Sequence, residues 1–241
     1  MHADVLVATS RVYQTSCTAI RSGEEGFVVD SPVYPDELEV LPAVLEQAGF
    51  SASGLLATHG DWDHLLGRLA FPGAALGVAE TTAARLTGGP GAAQRELRAF
   101  DEEHYVERPS PLSLGQVQAL PVPGHVELGG QEIELHSADG MALWAAWAGV
   151  LVCGDYLSPV EIPMLSASGS RDAYLATLER VRPLVEQAQW VVPGHGEPTD
   201  RARALAILDE DVRYLTDWEL PPTRRTAAQR AIDAANRERA G

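Results

Sequence analysis

Short apolar runs alternate along the chain with longer stretches whose apolar residues recur at helical spacing, and turn residues separate the two kinds. That pattern predicts a layered α/β protein. The runs that predict strands are VLVA (5–8), GFVVD (26–30), GLLATH (54–59), QEIELH (131–136), MALWAAWA (141–148), GVLVCGD (149–155) and QWVVPGH (189–195). Helical spacing predicts helices over 35–49, over 81–106 with a break at GGPG, over 171–187 and over 201–218. Pro183 is a point where the third of these could kink. After Pro222 the Arg/Ala-rich tail predicts a peripheral helix of weak amphipathicity or a frayed end. No internal repeat occurs, and residues 1–241 are expected to form a single domain.

Four of the apolar runs end on a residue that can ligate a metal: LLATH ends at His59, EIELH at His136, LVCGD at Asp155 and VVPGH at His195. In open α/β sheets the residues just past strand ends share one edge, where loops build sites on a rigid frame. The stretch THGDWDH adds Asp61, Asp63 and His64 to His59, in a loop too short to be a helical site. The inventory is then His59, His64, His136 and His195 with Asp61, Asp63 and Asp155. It suffices for two divalent ions that share a bridging carboxylate and a water. Coordination would lower the pKa of that water toward neutrality and polarise the bond under attack.

Composition narrows the chemistry. With 18 basic residues against 34 acidic ones the net charge is −16, and every basic residue is an arginine. Lysine Schiff-base chemistry is excluded, and a field this negative slows the approach of nucleic acid. Cys17 and Cys153 have no CxxC spacing, so a disulfide scaffold is not expected. The stretch MHADVLVATSRVYQ lacks a basic region followed by an apolar one, and no apolar run approaches the ~20 residues that span a bilayer. A cytoplasmic protein acting on a small molecule, with no nucleic acid and no membrane as partner, is expected; its oligomeric state is left open.

The ordered set His59, Asp63, His64, His136, Asp155 and His195 resembles the metallo-β-lactamase superfamily of metallohydrolases, whose signature is H-x-H-x-D-H, a further His, an Asp in a GD turn and a late GH. The resemblance implies an αββα sandwich with the site at the edge of the sheets. It implies one metal on His59, residue 61 and His136, a second on Asp63, His64 and His195, and Asp155 between them. Zinc is the expected metal. Asp61 departs from the pattern, which usually has His there. Its carboxylate brings a cluster of two divalent ions, a hydroxide, Asp63 and Asp155 to zero formal charge, and an oxygen donor shifts preference toward iron or manganese. Some relatives, competence-type nucleases and phosphorylcholine esterases among them, also have a carboxylate there.

Rival readings attach to several residues. Asp63 could simply cap the helix that follows, and Asp155 and His195 could be turn residues. PGH at His125 imitates a local family motif, but the room for two strands running out and back between His136 and Asp155 favours His136. Asp30 is read as structural, Cys153 as core, His2 and His104 as satisfied surface residues, and Trp62 as core or pocket wall. Tyr156 could donate a hydrogen bond to substrate, and the segment 158–170 could form an apolar cover. Only Arg68 lies beside the motifs, so no anion clamp is foreseen.

The function expected is a dinuclear hydrolase that attacks a small ester, lactone, thioester or amide with metal-bound hydroxide, Asp63 or Asp61 orienting the water. Alternatives are a phosphodiesterase, an iron enzyme of persulfide-dioxygenase type using His59, His136 and Asp155, and a non-catalytic metal-binding relative.

Overall fold

The computed structural model describes residues 1–166 and 169–240. Twelve strands form two six-stranded sheets. The first sheet contains β1 (Val5–Thr9), β2 (Ser16–Ser22), β3 (Glu25–Val29), β4 (Gly54–Leu56), β5 (Leu76–Ala79) and β6 (Val117–Leu120), side by side in chain order. The second contains β7 (Gly124–Leu128), β8 (Gln131–Ala138), β9 (Gly140–Ala145), β10 (Val150–Val152), β11 (Trp190–Val192) and β12 (Thr199–Asp200), also in chain order. Hairpins run antiparallel, whereas β3 to β6 and the pair β10 and β11 run parallel. Each parallel step requires a crossover, and helices supply most of them.

Alternation along the strands produces the layers. On the inner faces Ile20, Val29 and Leu56 of one sheet meet Ile133, Leu135, Leu143 and Val152 of the other in a shared apolar core. The outer face of the first sheet is covered by α1 (Pro35–Gln47) and α4 (Ala92–His104), with α2 (Gly67–Ala70) and α3 (Glu80–Gly88) beside them. The outer face of the second is covered by α5 (Arg171–Gln187) and α6 (Arg201–Asp217), and α7 (Ala227–Ala240) packs against that side. The result is the four-layer αββα sandwich that the family resemblance implies. The GGPG break separates α3 from α4 as the sequence predicts, with Gly91 in the left-handed region at φ 76°. Ser170 Oγ and Asp200 Oδ1 cap α5 and α6 by accepting from Ala173 N and Arg203 N. Among the described residues no helix is long and apolar enough to cross a membrane.

One expectation is corrected. MALWAAWA is not a strand throughout, because β9 stops at Ala145 and Ala146–Ala148 turn helically before β10. The tail forms the helix α7, largely exposed, with Gln229 and Asn236 buried in it and Arg224 buried just before it.

Candidate metal centre

The ends of four strands meet at one edge of the sandwich. Asp30 follows β3, the loop from Ala57 to Leu66 follows β4, Asp155 follows β10 and His195 follows β11. The two halves are stitched together there: Ser16 N donates to Gly194 O at 2.7 Å and Gly196 N donates to Gln14 O at 2.9 Å.

His59, Asp63, His64, Asp155 and His195 converge. His59 Nε2 lies 3.2 Å from Asp155 Oδ2, while His64 Nε2 and His195 Nε2 lie 3.2 and 3.3 Å from Asp155 Oδ1. Asp63 Oδ2 is 3.6 Å from both His64 Nε2 and His195 Nε2. Asp61 Oδ2 is 3.6 Å from His59 Nε2. Although they are buried and crowded, His59 Nε2 and Asp155 Oδ1 make no hydrogen bond, an arrangement that is costly unless something else occupies the space between them. His64 Nε2 and His195 Nε2 approach to 3.4 Å. Ligand nitrogens ~2.0–2.1 Å from a tetrahedral zinc stand about 3.3 Å apart, so this donor set fits a metal ion. His59, His64 and Asp155 form one such group, and Asp63, His64 and His195 another.

The outer nitrogens of the rings face polar groups of the scaffold. His59 Nδ1 contacts Thr58 Oγ1 at 3.0 Å, His64 Nδ1 lies 3.1 Å from Asp30 Oδ2, and His195 Nδ1 lies 2.9 Å from the Tyr13 carbonyl. Asp30 also accepts from Thr58 N and Thr58 Oγ1, and Thr15 Oγ1 donates to Asp63 Oδ2 at 3.2 Å. Such outer contacts set which nitrogen faces the centre. Burial disfavours a proton on His59 and His195, yet Asp155 outweighs it and lifts both to about 10 without metal. Burial likewise opposes charge on Asp155, but His59, His195 and His64 hold its carboxyl far below the usual range. The carboxylates of the cluster thus favour positive charge at its centre.

His136 is not brought to this cluster. Ile133 and Leu135 of β8 point into the core between the sheets, so Glu134 and His136 point to the opposite face, where His136 Nε2 lies 2.9 Å from Glu134 Oε2. The strand also runs on to Ala138, so the edge of the sheet is reached at Asp139 in the β8–β9 turn, and Asp139 lines the cavity beside His59. His125 is exposed on β7, near Glu132.

Arg85 was not foreseen. From α3 its guanidinium donates to Asp61 Oδ1 at 2.7 Å, returning a positive charge to the cluster that Asp61 had taken away. Arg68, the arginine expected nearby, donates instead to Gln116 O. Trp62 packs on Phe100 of α4 with ring centroids 4.8 Å apart, and His104 stacks on the same ring. Burial raises the Cys153 thiol far above its ordinary range, in keeping with a core residue.

A cavity of about 340 Å³ opens at the centre, lined by His59 and Asp155 and bounded by Tyr156, α5 and the segment 161–166. The expected cover at 158–170 includes residues 167 and 168, which lie outside the described residues. Burial pushes the Tyr156 hydroxyl up to about 12, which keeps it a hydrogen-bond donor at neutral pH. Glu161 also lines the cavity, and burial lifts its carboxyl above the ordinary carboxylate range.

A family model of the metallo-beta-lactamase superfamily matches residues 10–195, a span that contains every member of the cluster. The chain belongs to the metallo-beta-lactamase superfamily. Metallo-beta-lactamase folds recur among similar solved structures. A metallo-beta-lactamase family protein from Thermus thermophilus is 18% identical with a TM-score of 0.64, over 86% of this chain and 78% of that one. The DIM-1 metallo-beta-lactamase is 17% identical with a TM-score of 0.61, over 90% and 94%. The stereoselective inverting sec-alkylsulfatase Pisa1 from Pseudomonas sp. is 12% identical with a TM-score of 0.61, over 84% of this chain and 39% of that one. At these identities the likeness is one of fold. No match was found among curated proteins.

Proposed function

We propose that this protein is a metal-dependent hydrolase of a small ester, lactone, thioester or amide. The observation that carries the reading is the convergence of buried imidazoles on Asp155, with its unbonded Oδ1, at the mouth of a cavity of small-molecule size. Asp63, His64 and His195 would hold one divalent ion, and His59 and Asp61 the other, with Asp155 between them. Zinc is the first choice, and the carboxylate of Asp61 also suits manganese or iron. When bound, such ions make water acidic near neutral pH and polarise the bond under attack.

The chain's own residues do the rest. Asp63, held by Thr15 Oγ1, would orient the attacking water and take its proton. Asp61, held by Arg85, is the second carboxylate that could serve there. Tyr156 keeps its proton and can donate to a substrate oxygen from the cavity wall. The protein loaded with zinc or manganese should therefore hydrolyse members of a panel of p-nitrophenyl esters, γ-lactones and acyl thioesters. Asp63→Ala should lower kcat by about 100-fold or more. No turnover across the panel, or full turnover by Asp63→Ala, would overturn the reading. The iron-oxygenase alternative loses its ligand set, because His136 lies away from His59 and Asp155.

A further inference from the structure

Among the described residues the segment that walls the cavity pairs with no strand, so its backbone groups must find partners elsewhere. The C-terminal region supplies them through buried side chains. Ile162 N donates to Gln229 Oε1 at 2.7 Å and Leu165 N donates to Asn236 Oδ1 at 2.9 Å. Asn236 Nδ2 donates back to Pro163 O at 2.6 Å. Arg224, fully buried against Asp211, donates to Ser158 O and Glu161 O. These bonds tie residues 158–165 to the C-terminal region, with Ile162 and Leu165 in the cavity wall.

Part of that wall is apolar. Ile162, Met164 and Leu165 face Ala173 and Ala176 of α5 across the cavity. Met164 is 52% exposed, a large apolar side chain left to water where an occupant of the cavity could cover it. Charge argues against an anionic occupant, because Asp139 and Glu161 line the same space against the single guanidinium of Arg180. At the ~30 Å³ that a water molecule occupies in the liquid, the cavity has room for on the order of ten non-hydrogen atoms.

We infer that this cavity is a subsite for the neutral apolar tail of the substrate, an acyl chain, and that Gln229 and Asn236 position its wall. The reaction at the chain's end rests on the hydrolase reading above; the binding of the chain does not.

Two measurements separate the two. In the first, 1-hexanol is titrated calorimetrically into metal-free protein, wild type and Ala176→Phe. In the second, kcat/KM is compared for p-nitrophenyl acetate, butyrate and hexanoate with metal-loaded protein. Wild type should bind hexanol, and kcat/KM should rise about tenfold for each two-carbon extension. Ala176→Phe, which fills the cavity from a partly exposed helix position, should abolish hexanol binding and flatten the series. Gln229→Ala and Asn236→Ala should weaken hexanol binding and lower the ratio of hexanoate to acetate hydrolysis, with metal content unchanged. Hexanol binding without turnover of any ester would leave the subsite standing and remove the hydrolase reading. Ester turnover with a flat series and no hexanol binding would overturn the subsite and spare the hydrolase. An unchanged ratio in both wall variants would overturn the part assigned to Gln229 and Asn236.

Discussion

Gly194 passes so close to Asp155 that a Cβ at position 194 would overlap Oδ1 of the carboxylate, and it would press on the His64 ring at 2.9 Å. The PGH turn therefore needs its glycine for space, to let the His195 turn pass behind the shared carboxylate. Gly194→Ala should displace Asp155 and lower bound metal by more than half, with far-ultraviolet circular dichroism unchanged. Full metal content in the variant would show that the carboxylate has room to move.

His136 faces away from the centre, so His136→Ala should leave metal content and metal affinity as they are in wild type. Elemental analysis and a competition titration with a chromogenic chelator would check this. A loss of about tenfold or more in affinity, the size of effect seen when a supporting or direct ligand goes, would mean that the side chain turns inward when metal binds.

The pair between Arg85 and Asp61 is solvent-exposed at both partners. Such a pair contributes less than ~1 kcal/mol to stability, so Arg85→Ala should barely change the thermal midpoint. Its effect should appear in metal choice. Asp61→His exchanges an oxygen donor for a nitrogen one and should raise the preference for zinc over manganese, as read by competition between the two ions. Equal selectivity in wild type and Asp61→His would remove Asp61 from the ligand set.

Asp211 gives a pH dependence of stability remote from the metal. Burial pushes its carboxyl to about 7 from an ordinary 3.8, against the pull of Arg224. Between those values the folded protein keeps a proton that the unfolded chain has lost. The contribution of this group is thus complete below pH 4 and declines as pH rises through 7. The thermal midpoint of the wild type should fall more steeply from pH 5 to pH 7.5 than that of Asp211→Asn. Parallel slopes would contradict this.

Much of the centre was legible because strand ends and ligand residues coincide: His59, Asp155 and His195 each follow an apolar strand by three residues. The error at His136 came from weighing its place at the end of an apolar run above the phase of that run. In QEIELH the apolar residues are Ile133 and Leu135, and a period of two puts His136 on the polar face with Glu134. Arg85 left no signal, since it reaches Asp61 only through the placement of α3. The strands β2, β5 to β7 and β12 were missed because they are short, broken by Ser, Thr or Gly, or half exposed. The weak amphipathicity of α7 gave no sign of how it is anchored, because much of that anchoring is polar, through Gln229 and Asn236.

The central claim is that Asp155 joins His59 to His64 and His195 around metal. Elemental analysis of protein purified without an affinity tag, wild type beside Asp155→Ala, tests it most directly. Two equivalents of a divalent metal in the wild type and less than one in the variant are predicted. The same metal content in both proteins, or none in a wild type supplied with zinc and manganese, would contradict it.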